Sequence, residues 1–172
     1  ELKTIRAESP YDEIRAALRS ELTEDPAFQA QVAEIIRAVV QRGDAALLEL
    51  TARYDEFTCS SVTDLRVSRA DMEMAAATIP APVRQALELA AANIRIFHEK
   101  QIDRGYVDFL PDGSVIGQRI VPLSRVGVYV PGGRAAYPST VLMNVIPARV
   151  AGVERIIMVS PAIGGRIEPT VL

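Results

Sequence analysis

The sequence is poor in cysteine and histidine, the residues from which disulfide frameworks and most zinc centres are built. Its 172 residues include one cysteine, Cys59, one histidine, His98, and no tryptophan. A single cysteine excludes an internal disulfide framework, and neither residue has a second cysteine or histidine at the spacing of a zinc site. We therefore expect Cys59 to be a free thiol in a loop, His98 to be a packed side chain, and the protein to be cytoplasmic.

Long hydrophobic runs and strong charge of one sign are also missing. Apolar runs such as Ile156 to Val159 fall far short of the ~20 residues that a membrane-spanning helix needs. The net charge is −3, and lysine and arginine do not cluster with aromatic residues, which make up only 5% of the chain. These features exclude a membrane and a nucleic acid as predicted partners. With 49% hydrophobic residues, the composition is that of an ordinary globular protein.

Start and stop signals predict a helical first half. A proline follows a capping residue at Ser9 and at Asp25, as is typical of helix starts, and Gly43 is a typical residue just beyond a helix end. The predicted helices start at Pro10, at Pro26, at Asp44, after the capping box formed by Ser68 and Asp71, and at Pro82. We expect the last to reach about Gln101 and to pack on a sheet, and Leu65–Val67 to form a short strand.

The apolar pattern then changes from helical to alternating spacing. Apolar residues alternate before and after the turn sequence Pro111-Asp-Gly-Ser114, which predicts a β-hairpin. Further on, apolar strands at Val126–Val130 and Arg155–Val159 enclose a predicted helix from about Pro138 to Val150. This order predicts a parallel β–α–β unit and places the chain in the α/β class, with a helical N-terminal region ahead of an incomplete Rossmann-like unit.

The loop after the first parallel strand is the predicted ligand site. Pro131, Gly132 and Gly133 end this strand, and ligands of open parallel sheets bind at the carboxyl ends of strands. Tyr129 should face away from Val128 and Val130, where it would suit a planar ligand or serve as a core tyrosine. A diglycine by itself more often marks a turn than a phosphate site.

Ser139 follows this loop and has two interpretations of equal weight. It stands near the predicted start of the helix, where serine is a common N-cap that accepts a hydrogen bond from a backbone amide. The same position would also allow its hydroxyl to contact a ligand. The pattern of the sequence leaves both interpretations open.

The strand and loop sequence Arg125-Val-Gly-Val-Tyr-Val-Pro-Gly-Gly-Arg134 closely resembles the signature region of the histidinol dehydrogenase family. Four upstream segments match in the family's order and at about its spacing: Arg42-Gly-Asp-Ala-Ala-Leu47, Leu50-Thr-Ala-Arg-Tyr-Asp55, Ile94-Arg-Ile-Phe-His-Glu-Lys-Gln101 and Pro122-Leu-Ser-Arg125. The resemblance covers the chain from about Pro26 onward. Because the family's proteins are more than twice as long, it implies an N-terminal portion of such a protein.

The resemblance implies an enzyme that uses NAD and zinc and ends histidine biosynthesis. The full-length protein would be a cytoplasmic homodimer of aldehyde-dehydrogenase-like architecture that oxidises L-histidinol through L-histidinal to L-histidine with two NAD⁺. Tyr129, Pro131, Gly132 and Gly133 match positions at the cofactor, and Ser139 matches a position near the substrate. The family's zinc ligands and acid/base pair match nothing here, so we expect no catalytic or metal-binding residue in this segment and no turnover by it alone.

Three regions are predicted on this basis. Residues 1–25 would be an N-terminal helical extension, residues 26–124 the helical and hairpin part of a first α/β domain, and residues 125–172 the start of a second, Rossmann-like nucleotide-binding domain. Two alternatives stay open at this point. One is a relative that oxidises another primary alcohol such as sulfopropanediol, and the other is a non-catalytic module for nucleotide binding or dimerisation.

Overall fold

The computed structural model describes residues 10–12, 15, 26–132 and 136–172. Tyr11, Asp12 and Arg15 are helical, as expected after Pro10, and the rest of that predicted helix lies outside the described residues. The chain divides into two compact units, Glu1–Ala46 and Leu47–Leu172. Within the described ranges, no helix combines the length and the apolar character needed to cross a membrane.

Helix α1 (Pro26–Arg42) makes up most of the described part of the first unit. Gly43 ends it as predicted: its φ is +55°, in the left-handed region, and its amide donates to the carbonyl of Val39 at 2.8 Å. Several apolar side chains of α1 are exposed, among them Phe28 and Val40, which are 64% and 79% exposed. Helix α2 (Asp44–Tyr54) follows at once, at the predicted position.

Two reciprocal capping boxes organise the chain after α2. Ser68 and Asp71 cap helix α3 (Arg69–Thr78) as predicted, with the Asp71 amide donating to the Ser68 hydroxyl at 3.1 Å. Ser61 and Asp64 form a second box, which closes a 3₁₀ turn at Val62–Leu65. The predicted strand at Leu65–Val67 is therefore wrong, because the local side-chain hydrogen bonds around Ser61 favour a turn over extended pairing.

Helix α4 (Ala81–Glu99) begins after Pro80 and ends two residues before the predicted limit. It packs mainly against helix α5 (Pro138–Val150), so the expectation that it packs on a sheet is wrong. Its inner stripe is half-buried and consists of Leu87, Ala90, Ala91, Ile94 and His98. Phe97, which the periodicity places on the same stripe, is 61% exposed. A partner helix covers a narrower stripe than a sheet would.

The predicted hairpin is present as strands β1 (Tyr106–Phe109) and β2 (Val115–Gln118), which pair in antiparallel register. The amide of Leu110 donates to the carbonyl of Ser114 at 2.8 Å, and Gly113 has a φ of +84°. The side chain of Asp112 accepts from both the amide and the hydroxyl of Ser114, at 2.9 and 2.6 Å. All residues of both strands are exposed.

The predicted parallel unit is also confirmed. Strand β3 (Arg125–Tyr129) precedes α5 in the chain, and strand β4 (Arg155–Val159) follows it. The two strands pair with each other in parallel. The core of this unit consists of Val128, Val130 and Val171, with Val141, Val145, Ile156, Met158 and Ile167 packed against them. The chain is thus a mixed α/β structure, and one face of the β3–β4 sheet is covered while the other is exposed.

Candidate functional site

A cleft opens at the carboxyl ends of β3 and β4. Gly132 follows β3 by three residues, Ser160 and Pro161 follow β4, and together they form part of the wall of a cavity of about 610 Å³. Arg166 and Glu168 contribute the charged part of the wall. This is the edge at which parallel sheets bind ligands, and the volume lies within the ~300–1,000 Å³ of small-molecule sites.

Gly132 lies close to the two residues that follow β4. A Cβ atom at this position would lie 3.2 Å from the Ser160 hydroxyl oxygen and 3.3 Å from the Pro161 carbonyl oxygen. Both distances are shorter than ordinary van der Waals contacts. The absence of a side chain therefore keeps this part of the cleft open and brings the backbone to its wall.

The segment after β4 is shaped by a short 3₁₀ turn at Ile163–Gly165. Gly164 and Gly165 both have positive φ, and the amide of Gly164 donates to the carbonyl of Asp55 at 2.7 Å. Gly165 lies against the ring of Phe57, where a Cβ would come within 2.9 Å of two ring carbons. Gly164 and Gly165 thus shape the turn from which the chain continues to the cleft wall.

Arg166 and Glu168 were not singled out by the sequence. A dinucleotide-binding unit usually carries its ribose-binding acid ~20 residues after the glycine loop, and Glu168 lies well beyond that distance. The structure brings Glu168 to the same cleft as Gly132 because parallel strands carry their following loops to the same edge of a sheet. An acid in the segment that follows the second parallel strand and its 3₁₀ turn is the signal that identifies it.

Tyr129 faces away from the core, as predicted. It is 63% exposed, whereas its neighbours Val128 and Val130 are 8% and 0% exposed. It pairs in register with Val159 of β4 on the open face of the sheet. The interpretation of Tyr129 as a core residue is therefore wrong. Within the described residues, neither Tyr129 nor Pro131 forms part of the cleft wall that contains Gly132.

Ser139 is the second residue of α5 and is exposed. The N-cap is Tyr137, whose carbonyl accepts from the amide of Thr140 at 3.0 Å and whose side chain makes no capping hydrogen bond. The N-cap interpretation of Ser139 is wrong because Pro138 takes the first helical position, where its missing amide costs nothing. Ser139 does not line the cleft among the described residues. The predicted site residue Gly133 lies outside them.

Metal-ligating side chains do not converge in the described part of the chain. Across residues 26–132 and 136–172, together with the few described near the N-terminus, no three side chains of histidine, cysteine, aspartate or glutamate form a metal-binding group. His98 is half-buried, its Nδ1 lies 2.6 Å from Oε1 of Gln101, and its ring meets Phe97 edge-on. Cys59 is a half-buried free thiol. These contacts fit the predicted packing role of His98.

Among the described residues, two carboxyl groups have lowered pKa values, and neither lines the cleft. Hydrogen bonds from the side chain and then the backbone of Ser68 lower the pKa of Asp71. Hydrogen bonds from the side chain and then the backbone of Ser114 lower the pKa of Asp112. In both cases the donors stabilise the ionised carboxylate. Both groups serve local structure, one at a helix start and one in the hairpin turn.

Known proteins identify the family. The histidinol dehydrogenase family model matches residues 18–172. The histidinol dehydrogenase of Chromobacterium violaceum is 48% identical over 161 residues, which cover 94% of this chain and 37% of that protein. The Dechloromonas aromatica enzyme of the same name is 49% identical over 157 residues, 91% of this chain and 36% of that protein.

A solved structure gives the same result at the level of the fold. The crystal structure of histidinol dehydrogenase from Elizabethkingia anophelis superposes with a TM-score of 0.84 and 28% identity, over 95% of this chain and 37% of that one. The chain thus spans little more than a third of the length of the relatives it matches. The match nevertheless covers nearly all of the sequence, and this chain belongs to the histidinol dehydrogenase family.

Proposed function

We propose that this chain is the N-terminal portion of a histidinol dehydrogenase, a cytoplasmic oxidoreductase that converts L-histidinol through L-histidinal to L-histidine with two NAD⁺. The observation that carries the proposal is the family match over residues 18–172, which includes the strand and loop that lead into the cleft. The other two interpretations, a different primary alcohol and a non-catalytic module, have no such support.

The cleft supports NAD as the cofactor. Because Gly132 has no Cβ, space is left at the wall of the cleft. The same wall carries one cationic side chain, Arg166, and one anionic side chain, Glu168. In this proposal Gly132 and Gly133 bring backbone to the dinucleotide, Pro131 fixes the bend that ends β3, and Tyr129 offers its exposed ring. Bound nicotinamide would supply the hydride acceptor. The residues of this chain would bind and orient it.

Residues 125–172 would then be the start of a Rossmann-like nucleotide-binding domain. Its first parallel pair and crossing helix are β3, α5 and β4, and further strands would extend the sheet. Residues 26–124 would belong to a first α/β domain and residues 1–25 to an N-terminal extension, in an aldehyde-dehydrogenase-like architecture. We propose that Ser139, exposed at the start of α5, contacts the substrate L-histidinol.

The described residues do not fit a zinc site, and the sequence offers one histidine and one cysteine. In a zinc-dependent dehydrogenase the alcohol-polarising metal and the proton-accepting side chains would therefore be contributed from outside this segment. The binding half of the site would lie here and the reacting half elsewhere. The exposed face of the β3–β4 sheet is consistent with a protein that continues to build on it, and we propose a homodimer as the functional state.

NADH formation from L-histidinol and NAD⁺, followed by absorbance, tests the proposal. The full-length protein should form two NADH for each histidine produced, and the purified 172-residue segment should form none. Sulfopropanediol serves as the competing substrate in the same assay. Faster oxidation of sulfopropanediol than of L-histidinol would contradict the proposed substrate, and turnover by the segment alone would contradict the proposed division of the site.

A further inference from the structure

The segment that forms one wall of the cleft also borders a second cavity. This wall segment, residues 163–168, contributes Ile163, Arg166, Ile167 and Glu168 to the lining of the cleft. A second groove of about 550 Å³ is lined by Ile167 too, together with Ser160 and side chains of α2, α5 and β4. Because Ser160 and Ile167 line both spaces, the wall segment is the partition between the cleft and the second groove.

The loop after α2 holds one end of the wall segment. The carbonyl of Asp55 accepts from the amide of Gly164 at 2.7 Å, and the ring of Phe57 lies against Gly165. The amide of Asp55 in turn donates to the carbonyl of Thr51 at 2.9 Å, which ties the loop to the last turn of α2. Asp55 and Phe57 are both half-buried. Two adjacent residues of the wall segment are thus fixed from outside the cleft.

Glu56, between these two residues, has a strained backbone. Its φ is +52°, in the left-handed region, which residues with a Cβ rarely adopt. With Glu56 in this conformation, the carbonyl before it and the ring after it both reach the glycines at 164 and 165. Strain of this kind persists where the surrounding contacts fix the backbone. It is consistent with a loop whose conformation is set by the two contacts that it makes.

The wall segment is able to move once these contacts are lost. Gly164 and Gly165 have φ of +61° and +74°, and without side chains their backbone rotates easily. At the other end, Ile167 packs against the core of the β3–β4 unit, and the carbonyl of Glu168 accepts from the amide of Val171 at 2.9 Å. The glycine end is therefore the end that can swing. The second groove offers the space for it, between the apolar side chains of Leu47, Val67, Met72, Val145 and Met158.

We infer that Asp55 and Phe57 are positioning residues, which hold the wall segment at the cleft and keep it out of the second groove. Neither is among the described residues that line the cleft, so they act through Gly164 and Gly165. The effect on turnover rests on the proposed function: a wall that is not held in place must be ordered when the cofactor binds. A loop outside the cleft thus sets how much ordering binding requires.

Hydrogen exchange of the full-length protein without added ligand measures whether the wall segment is held. Phe57→Ala should accelerate exchange of the amides of residues 164–166 about tenfold, because local opening no longer has to break the ring contact. Phe57→Tyr keeps the ring and should exchange like the wild type. Phe109→Ala removes a ring that is 80% exposed on the hairpin, and it should leave exchange of the wall segment unchanged.

The two glycines of the wall segment provide an internal control. A Cβ on Gly165 would lie 2.9 Å from two carbons of the Phe57 ring, whereas a Cβ on Gly164 would have no atom within 4 Å. Both have positive φ, so alanine carries similar backbone strain at either position. Phe57→Ala should relieve the ring clash of Gly165→Ala, so this double variant should exchange no faster than Gly165→Ala alone. With Gly164→Ala the two effects should add.

Steady-state kinetics of L-histidinol oxidation by the full-length protein test the effect on turnover. Phe57→Ala should raise the NAD⁺ Michaelis constant about fivefold, through the cost of ordering the wall, and leave kcat within about twofold. Phe57→Tyr should restore the Michaelis constant. A purely structural role of Phe57 would reduce the amount of active enzyme, and so lower the apparent kcat at an unchanged Michaelis constant. That result would overturn the inference.

The exchange and kinetic results separate the positioning role from the proposed function. If the protein forms NADH but Phe57→Ala leaves exchange of the wall segment unchanged, the positioning role is wrong and the proposed function stands. If the protein forms no NADH from L-histidinol and NAD⁺, the proposed function fails, and exchange alone decides whether Phe57 holds the wall segment. Equal acceleration of β3 and β4 by Phe57→Ala would show a general loss of stability and contradict the positioning role.

Discussion

The two small sheets of the second unit are built in opposite ways. The β1–β2 hairpin is exposed along its whole length and is closed by hydrogen bonds within the five residues from Leu110 to Ser114. The β3–β4 pair needs a crossing helix between its strands, and Val130, the residue after β3, has a fully buried side chain. The hairpin is thus a product of local geometry, whereas the parallel pair depends on burial and gives rise to the cleft.

The largest expected effect contrasts a buried residue of the parallel pair with an exposed residue of the hairpin. Val130→Ala in the full-length protein should lower the free energy of unfolding of the β3–β4 unit by about 2 kcal/mol, because it removes two buried methyl groups and leaves a cavity. Phe109→Ala is the control: its ring is 80% exposed, and the expected loss is below about 0.5 kcal/mol.

Hydrogen exchange of peptides from each sheet measures both changes. Val130→Ala should accelerate exchange of β3 and β4 and leave the hairpin as it was. Equal acceleration by the two variants would show that the sheets do not differ in how they are stabilised.

A second contrast uses glycines of the two sheets. Gly105, at the open end of the hairpin, has a φ of +70°, and a Cβ there would overlap the backbone oxygen of Gln118. Gly105→Ala should destabilise the hairpin by at least about 1–2 kcal/mol, the cost of a left-handed non-glycine residue alone. A Cβ on Gly127 of β3 would have no atom within 4 Å, so Gly127→Ala should be nearly neutral.

The exchange rates of β1 and β2 amides report the effect of Gly105→Ala, and those of β3 report the effect of Gly127→Ala. Protection of the hairpin that survives Gly105→Ala would mean that its open end moves aside without cost. The hairpin would then depend on its turn alone.

The third prediction concerns the open face of the parallel pair. Tyr129→Ala should raise the NAD⁺ Michaelis constant of the full-length enzyme about five- to tenfold, or roughly 1–1.4 kcal/mol, through loss of an aromatic contact to the cofactor. It should leave the thermal midpoint nearly unchanged, because Tyr129 is 63% exposed. Tyr129→Phe keeps the ring and is the control. Unchanged cofactor kinetics in Tyr129→Ala would remove this residue from the site.

The smallest effect is a dependence of the hairpin on pH. Because Ser114 lowers the pKa of Asp112 below 3.8, the ionised carboxylate stabilises the turn fully above that value. This contribution is lost as the pH falls through the lowered pKa. The thermal midpoint of the wild type should therefore exceed that of Asp112→Asn near neutral pH and approach it in acid. Asp108→Asn, in β1, serves as the control, and a gap that persists in acid would contradict the assignment to the carboxylate.

Local signals were enough to predict much of the fold. The capping box of Ser68 and Asp71, the terminator Gly43 and the turn around Asp112 act through hydrogen bonds or backbone angles within a few residues, and the structure confirms all three. The same kind of local bonding joins Ser61 and Asp64 and forms a 3₁₀ turn, so the strand predicted at Leu65–Val67 is absent.

The candidate site was predictable only in part. The loop at Gly132 was predicted from an apolar strand followed by proline and glycine, and the structure places Gly132 at the wall of a cleft. Helix α4 was expected on a sheet and packs on α5 instead, because an apolar stripe specifies burial but not the partner that provides it. Ser139 is not the N-cap, since Tyr137 takes that position one residue ahead of Pro138.

The sequence by itself determined the order of the elements, the parallel pair around α5 and the membership of a family, since these depend on neighbouring residues and on matched motifs. Only the tertiary structure brought Arg166 and Glu168 to the wall that Gly132 keeps open. The physical reason is that parallel pairing joins residues far apart in the chain at one edge of a sheet. How close these residues lie depends on the register of β3 and β4. That register cannot be read from any short stretch of the sequence.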